Sequence, residues 1–164
     1  TACLQAFGCS VEGSGPDRLV VTGAPSRGAQ IDCVGFPDLA PVLAAVAGFV
    51  ACRGLGESTL TGLGTLPGKE CDRISVLARG LRALGLEVLQ GDTSLTVSGD
   101  SRGRGMEREA LSLDPESDHR MVFFGALLSL FEPGIQCLEP GCVGKSWPGF
   151  WQDLAAAGGT LFTS

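Results

Sequence analysis

The chain has 164 residues, of which 44% are hydrophobic and 18% are charged, so it can bury a core of ordinary size. A formal net charge of −6 argues against a nucleic-acid surface, and no apolar run is long enough to span a bilayer. Seven cysteines without a C-x-x-C pair argue against a disulfide framework or a zinc site, and they favour reduced thiols in the cytoplasm.

Three segments share one pattern, in which the apolar end of a helix is followed by glycine and then by a strand. They are residues 4–11, 81–88 and 154–161, and their glycines are Gly8, Gly85 and Gly158. Glycine readily takes the left-handed conformation that ends many helices. The spacing of the three segments predicts an internal repeat that covers roughly residues 4–84 and 81–158.

Within each repeat the elements are predicted in the order strand, helix, strand, helix and hairpin. The single strands are residues 30–32 and 59–61 in the first copy and residues 111–113 and 135–137 in the second. The predicted hairpins join residues 9–12 to 19–22 and residues 87–90 to 95–98. Residues 102–109 are predicted to form a charged surface loop. This order of elements predicts an α/β (α+β) fold.

Two of the predicted helices have almost no polar face. They follow Asp38 and Asp118, and a helix that is apolar on all sides must be enclosed by other elements. A third helix follows Arg73 and is amphipathic, because apolar residues recur at spacings of three and four. These residues are Ile74, Leu77, Ala78, Leu81 and Leu84.

Cations gather at or just before the predicted helix starts. They are Lys69, Arg73, His119, Arg120 and Lys145. A helix N-terminus carries partial positive charge, so cations beside its free N–H groups suit a strongly anionic ligand better than they suit the helix. Because the unit repeats, we expect these helix starts to meet at one edge, around the carboxylates of Asp38 and Glu70. Such carboxylates can act as general acids or bases.

The same residues also have purely structural interpretations. The carboxylates at the helix starts are expected to act as N-caps, and capping alone would account for Asp38 and Asp118. In that interpretation Arg120 pairs with Asp118 or with Glu116. The acidic residues expected to cap are Asp38, Glu70, Asp72 and Asp118.

Other candidate sites have weaker support. His119 is the only histidine, which excludes a multi-histidine metal site and favours a structural role. Lys145 follows Gly144, but Glu139 stands where a phosphate-binding loop requires its first glycine. Trp147 and Trp151 are four residues apart and are predicted to pack from one helix face.

Four short motifs resemble those of the 5-enolpyruvylshikimate-3-phosphate synthase family. Lys69–Arg73 resembles the family's K-E-(T/S)-D-R motif, and Ser117–Met121 resembles its D-H-R-M motif. Gly144–Pro148 is similar to its K-(S/T)-(F/Y)-P motif, and Pro37–Pro41 is similar to its P-D-x-x-P segment. All four occur in the family's order with suitable spacing, and the match spans nearly the whole chain.

The resemblance implies a two-domain enzyme whose domains each pack three βαβαββ units, with the helices inside and mixed sheets outside. It implies that residues 1–164 are a single partial domain, a fragment of the C-terminal domain, and that the N-terminal domain of the same enzyme completes the site. The family transfers the carboxyvinyl group of phosphoenolpyruvate to the 5-hydroxyl of shikimate 3-phosphate, in the shikimate pathway of aromatic amino-acid biosynthesis. It uses no metal and no organic cofactor. We expect the fragment alone to be inactive.

The resemblance also implies roles for individual residues. Asp38, at the 5-hydroxyl of shikimate 3-phosphate, and Glu70, at the methylene of phosphoenolpyruvate, are the expected acid–base pair. Lys69 is the expected contact to shikimate 3-phosphate, and the family has an asparagine contact where this chain has Thr65. The expected ligands of phosphoenolpyruvate are Arg73, His119, Arg120 and Lys145.

Two other functions fit part of the sequence. A domain kept as an interaction module would retain the fold without the reaction. UDP-N-acetylglucosamine enolpyruvyl transferase shares the repeat fold but not this set of motifs. A partial domain also exposes apolar surface, so we expect the fragment to self-associate. No nucleic-acid or membrane partner is expected.

Overall fold

The computed structural model describes residues 1–13, 18–100, 111–132 and 134–159. The described residues form five α-helices: α1 (Ala2–Ala6), α2 (Ala40–Cys52), α3 (Arg73–Ala83), α4 (His119–Ser129) and α5 (Phe150–Ala156). They also form eight strands: β1 (Ser10–Gly13), β2 (Leu19–Thr22), β3 (Gln30–Asp32), β4 (Ser58–Thr61), β5 (Leu86–Gln90), β6 (Leu95–Asp100), β7 (Leu111–Leu113) and β8 (Ile135–Cys137). The predicted loop at residues 102–109 lies outside the described residues.

The strands pair into three sheets. β1 and β2 form an antiparallel hairpin, and β7 and β8 form a parallel pair. The central sheet has the order β3-β4-β6-β5, in which β3 is parallel to β4 and the other pairs are antiparallel. Its register places Ile31 opposite Leu60 and Leu60 opposite Leu95, and all three side chains are buried. One face of this mixed sheet therefore closes the core.

The order β3-α2-β4-α3-β5-β6 is a complete βαβαββ unit, and β7-α4-β8-α5 follows the same order of strands and helices. The predicted single strands and both predicted hairpins are confirmed, with ends that differ by at most two residues. The α/β fold predicted from the sequence is therefore confirmed.

The glycines of the three similar segments all end helices in the predicted way. Gly8, Gly85 and Gly158 have φ angles of +96°, +81° and +100°. These left-handed angles are strained for residues that carry a Cβ, which explains why glycine stands at each position. The chain reverses there and enters β1 after Gly8 and β5 after Gly85.

The predicted burial of the two apolar helices is confirmed, and each is enclosed in a different way. α2 packs against α3, α4 and the central sheet, and Gly48 allows a close approach, since a Cβ there would lie 2.8 Å from Leu81 Cδ2. α4 has a side in the main core, through Phe124 and Leu128. Its opposite side contributes to a second apolar cluster, which contains Val122, Ala126, Val143 and Phe150.

α3 buries its predicted apolar stripe and keeps Arg79 and Arg82 exposed. Its N-cap is Asp72, whose carboxylate accepts hydrogen bonds from Ser75 N at 3.3 Å and from Ser75 Oγ at 2.6 Å. This cap orients the first turn, where Arg73 stands. None of the helices among the described residues combines the length and the apolar character that crossing a bilayer requires.

Candidate functional site

The predicted site residues come from four short segments that meet beside the starts of α3 and α4. Asp38 lies in a 3₁₀ turn (Pro37–Leu39) before α2, and Glu70 lies in the loop that leads to α3. Arg73 is the first residue of α3. Lys145 ends another 3₁₀ turn, Pro140–Lys145, which follows β8. Each 3₁₀ turn has proline in its first positions, where the fixed φ angle favours a tight turn.

Arg73 is the centre of the site. Its side chain is only 1% exposed. Its Nε donates to Asp118 Oδ2 at 2.7 Å, and its Nη2 donates to Asp118 Oδ1 at 3.2 Å. Nη1 donates to Asp38 Oδ1 and Nη2 also donates to Glu70 Oε2, both at 2.9 Å. Burial by itself would lower the pKa of Arg73, but these carboxylates hold the pKa above its ordinary value, so the guanidinium stays charged.

Asp118 is fully buried and serves two purposes at once. It is the N-cap of α4, where its Oδ1 accepts a hydrogen bond from Arg120 N at 2.9 Å. The same carboxylate holds the guanidinium of Arg73 through two parallel hydrogen bonds. Capping, which the sequence predicted, is confirmed, but the pairing with Arg73 was missed. The residues lie 45 positions apart, and no local pattern in the sequence connects them.

Asp38 is surrounded by cations on its exposed side. Arg120 Nη2 lies 2.9 Å from Asp38 Oδ2, and Lys69 Nζ lies 3.6 Å from Asp38 Oδ1. Partial burial raises the pKa of Asp38, but the charge of Arg120, the hydrogen bond from Arg73 and the charge of Lys69 outweigh it, and the pKa lies below its usual range. Asp38 is therefore an ionised base at neutral pH.

Glu70 connects Arg73 with Lys145. Its Oε2 accepts from Arg73, and its Oε1 accepts from Lys145 Nζ at 2.7 Å. The hydrogen bond from Lys145 is the largest of the effects that lower the pKa of Glu70 to about 2. Glu70 is therefore ionised at neutral pH.

His119 is the first residue of α4, and its ring lies beside the carboxylates. Its Nδ1 is 3.9 Å from both Glu70 Oε1 and Asp118 Oδ1, and it lacks a hydrogen-bond partner among the described residues. Burial is the largest of the effects that lower the pKa of His119 below 6.5, and the charge of Arg120 acts in the same direction. The imidazole is therefore neutral at pH 7, and its buried Nδ1 lies between the carboxylates of Glu70 and Asp118.

Cys71 lies beside this group and is not suited to nucleophilic attack. Its Sγ donates to Asp118 Oδ2 at 3.7 Å, and burial, followed by the charge of Asp118, raises its pKa to about 12. No group of three or more histidine, cysteine or acidic side chains within the described ranges is arranged to hold a metal ion.

Several expectations about individual residues are corrected. Asp38 does not cap α2, because the 3₁₀ turn intervenes, Leu39 occupies the N-cap position and no side chain caps the helix. Glu70 is not an N-cap either, because Asp72 occupies that position of α3. Arg120 pairs with Asp38 instead of Asp118 or Glu116.

The other corrections concern residues beside the cluster. Glu116 pairs instead with Arg79, at 2.6 Å. α5 begins at Phe150, five residues after Lys145, so Lys145 ends a 3₁₀ turn and does not open that helix. Trp147 precedes α5 and Trp151 lies within it, so they do not share one helix face, although both contact Phe150.

The site thus combines four cations with three carboxylates at one place. Each of the four cations contacts at least one of these carboxylates: Lys69, Arg73, Arg120 and Lys145. An anionic ligand can bind these cations in place of the carboxylates. The carboxylates that lose their partners are then available for proton transfer. The fold and the site define an α/β protein with a βαβαββ unit and a cluster of four cations and three carboxylates at the starts of its helices.

Comparison with known proteins identifies the family. A profile of the family described as EPSP synthase (3-phosphoshikimate 1-carboxyvinyltransferase) matches residues 1–154, and the chain belongs to this family. It is 39% identical over 148 residues to the 3-phosphoshikimate 1-carboxyvinyltransferase of Pseudomonas savastanoi pv. phaseolicola, a match that covers 87% of this chain and 34% of that protein. It is 37% identical over 156 residues to the enzyme of that name from Methanoculleus marisnigri, with 94% of this chain and 34% of the relative covered.

Solved structures support the same fold. An EPSP synthase from Acinetobacter baumannii superposes with a TM-score of 0.76 at 22% sequence identity, and the match covers 99% of this chain and 39% of that one. The fold class predicted from the resemblance is therefore confirmed. The chain spans about a third of the length of the curated relatives that it matches.

Proposed function

We propose that this chain supplies the phosphoenolpyruvate-binding side of a 3-phosphoshikimate 1-carboxyvinyltransferase. The proposed reaction joins the carboxyvinyl group of phosphoenolpyruvate to the 5-hydroxyl of shikimate 3-phosphate and releases inorganic phosphate. Membership of the family supports this proposal, as do the names of the relatives. On this view a further part of the same enzyme, its N-terminal domain, contributes the rest of the shikimate 3-phosphate site.

The observation that carries the proposal is the contact of one buried guanidinium with three carboxylates. Through Arg73, the residues Asp38, Glu70 and Asp118 come together from three separate motifs. A core built for stability alone gains little from such a group, because a buried charge loses hydration that its partners only offset. A role in ligand binding and proton transfer accounts for this arrangement.

The charges of the site favour a ligand with both a phosphate and a carboxylate. Arginine can hold either group with two parallel hydrogen bonds, and lysine contributes a point charge. We assign the phosphate and carboxylate of phosphoenolpyruvate to Arg73, Arg120 and Lys145, with His119 beside them. Lys69, on the other side of Asp38, is assigned to shikimate 3-phosphate.

Ligand binding would change the proton affinity of the two exposed carboxylates. Lys145 holds the pKa of Glu70 at about 2, and the cations around Asp38 lower its pKa in the same way. When the ligand's anionic groups take Lys145 and Arg120, both carboxylates lose part of that stabilisation and their pKa values rise. The groups thereby become useful as acids as well as bases.

The proposed steps are an addition followed by an elimination. In the addition, Asp38 accepts the proton of the 5-hydroxyl while the hydroxyl oxygen bonds to C2 of phosphoenolpyruvate. Glu70, protonated after the ligand has taken Lys145, gives its proton to C3. In the elimination, Glu70 removes a proton from C3 while the bond between C2 and the phosphate oxygen breaks. The products are inorganic phosphate and the enolpyruvyl ether, and Asp38 returns its proton to the leaving phosphate or to solvent.

The test measures phosphate release by the complete gene product that contains this chain. We expect release only when phosphoenolpyruvate and shikimate 3-phosphate are both present. Arg120→Ala should raise the KM for phosphoenolpyruvate, whereas Asp38→Asn and Glu70→Gln should lower kcat. The matched control is Arg79→Ala, because Arg79 is 57% exposed and pairs with Glu116 outside the cluster.

Three outcomes would contradict the proposal. A gene product that releases no phosphate would support an interaction module instead. Release that requires UDP-N-acetylglucosamine in place of shikimate 3-phosphate would assign the chain to the sister reaction. An unchanged KM for phosphoenolpyruvate in Arg120→Ala would remove Arg120 from the site.

We place the reaction in the cytoplasm, which the seven free thiols support. We also propose that the isolated chain self-associates, because several large apolar side chains are exposed, among them Leu19, Val34 and Leu89. Sedimentation velocity across a wide range of concentrations tests this second proposal, and a constant monomer would contradict it.

A further inference from the structure

Asp118 is a fully buried carboxylate to which the proposed chemistry gives no direct contact with substrate. Its side chain is 0% exposed, yet it makes four polar contacts. Two come from the Arg73 guanidinium, one comes from Arg120 N and one comes from the Cys71 thiol. An N-cap needs only one of these, the contact with the backbone N–H.

The contacts connect the two arginines that are assigned to phosphoenolpyruvate. The Asp118 carboxylate accepts hydrogen bonds from the side chain of Arg73, at the start of α3, and from the backbone N–H of Arg120, in the first turn of α4. A shift of this carboxylate would therefore move both arginines relative to each other. The same carboxylate also sets the junction between the two helix starts.

The hydrogens of the Arg73 guanidinium are divided between buried and exposed partners. Nε and one hydrogen of Nη2 face Asp118, which is buried. Nη1 and the other hydrogen of Nη2 face Asp38 and Glu70, whose side chains are 43% and 31% exposed. A ligand from solvent can displace the exposed carboxylates, whereas displacing Asp118 would leave a charge buried without a partner.

We propose that Asp118 is a positioning residue, which fixes the Arg73 guanidinium so that its Nη1 and Nη2 edge faces the carboxylate or phosphate of phosphoenolpyruvate. The proposal rests on the proposed function. Asp118 stays bonded to Arg73 throughout the reaction, while Asp38 and Glu70 exchange their contacts with the ligand. Asp118 transfers no proton and touches no substrate.

The first experiment compares two N-cap variants of the complete gene product by steady-state kinetics. Asp118→Asn keeps the shape and an oxygen that can cap α4, but it cannot accept the hydrogen bonds of Arg73 as a carboxylate does. We expect it to raise the KM for phosphoenolpyruvate by about tenfold to a hundredfold, since small misplacements of binding groups have effects of that size. The KM for shikimate 3-phosphate should stay unchanged.

The matched control is Asp72→Asn. Asp72 is the N-cap of α3, is exposed, and accepts hydrogen bonds from Ser75 without contacting Arg73. This variant should leave both KM values unchanged. If Asp118→Asn behaves like Asp72→Asn, Asp118 is a cap and nothing more. If it lowers only the fraction of active protein, with both KM values unchanged, its role is structural and the proposal is wrong.

The second experiment needs no variant that must fold. Nitrogen-15 labelling of arginine allows the Nε–H signal of Arg73 to be followed by NMR as phosphoenolpyruvate is added. We expect a slowly exchanging Nε–H before and after binding, with changes confined to the Nη groups. A Nε–H that becomes rapidly exchanging on binding would overturn the proposal, because Asp118 would then have released Arg73. Failure of the proposed function is a separate result, seen as absence of phosphate release by the unaltered protein.

Discussion

Replacing Arg73 by methionine should destabilise the fold far more than the same replacement at Arg79. Arg73 is 1% exposed and Arg79 is 57% exposed, although both lie on α3 and both contact carboxylates. After Arg73→Met, Asp38 keeps Arg120 and Lys69, and Glu70 keeps Lys145. Asp118, which is fully buried, loses both of its hydrogen bonds from the guanidinium.

The cost can be worked out from that difference. Removing one partner of a buried ion pair costs about 3–5 kcal/mol, whereas an exposed pair contributes only about 0.2–1 kcal/mol. With a urea dependence of ~2 kcal/mol per molar, Arg73→Met should lower the unfolding midpoint by roughly 1.5–2.5 M. Arg79→Met should lower it by no more than about 0.5 M.

The measurement is urea unfolding of the expressed chain, followed by far-ultraviolet circular dichroism. The double variant Arg73→Met with Asp118→Leu adds a further test, since it removes both charges of the buried pair. It should be more stable than Arg73→Met alone, even though the N-cap of α4 is lost at a cost of about 1 kcal/mol. Equal midpoints for Arg73→Met and Arg79→Met, or a double variant less stable than Arg73→Met, would refute the reasoning.

Acidity, backbone packing and the single histidine each offer a further test. The pKa of Glu70 is about 2 in the folded chain and 4.5 ordinarily, so its pairing stabilises the fold above about pH 4.5 and is lost as the pH falls towards 2. Lys145→Met should therefore lower the free energy of unfolding in urea by about 0.2–1 kcal/mol at pH 6, because the pair is partly exposed. This difference should vanish as the pH approaches 2, and a difference that does not depend on pH would contradict the assignment. A Cβ on Gly28 would overlap the backbone carbonyl of Glu57, so Gly28→Ala should lower the free energy of unfolding by about 1–3 kcal/mol. Gly35→Ala is the control, because its Cβ would meet open space and the stability should change little. Equal thermal unfolding midpoints for the two variants would count against this packing. NMR titration of His119, the only histidine, should show a pKa below 6.5 that is set mainly by burial. The charges of Asp118 and Glu70 raise this pKa, and those of Arg120 and Lys145 lower it. Glu70→Gln should therefore lower the pKa further, and a rise would show that the charge of Glu70 does not reach the ring.

The local features of the fold could be predicted because they depend on nearest neighbours along the chain. Gly8, Gly85 and Gly158 adopt the left-handed angles that a helix end requires, and Asp72 and Asp118 cap helices as their positions indicated. Such features involve residues only a few positions apart, so residue type and spacing contain the information.

The candidate site was predictable as a set of residues but not as a set of pairs. The sequence predicted that the helix starts would meet, and in the structure they bring Asp38, Glu70 and Arg73 together, because the order of elements repeats. The partner of Arg120 was predicted wrongly, since Asp38 lies 82 residues away and competes with nearer carboxylates. Closeness along the chain gave the wrong partner because helix packing determines the distance in space.

By itself the sequence determined the elements, their order, and the residues that carry charge at the helix starts. Only the tertiary structure decided that Asp118 is buried beneath Arg73, that Asp38 stands outside the cap of α2, and that Glu70 lies between Arg73 and Lys145. The physical reason is that Coulomb interactions and desolvation depend on distance and burial. Both of these quantities are fixed when α2, α3 and α4 pack against one another and against the central sheet.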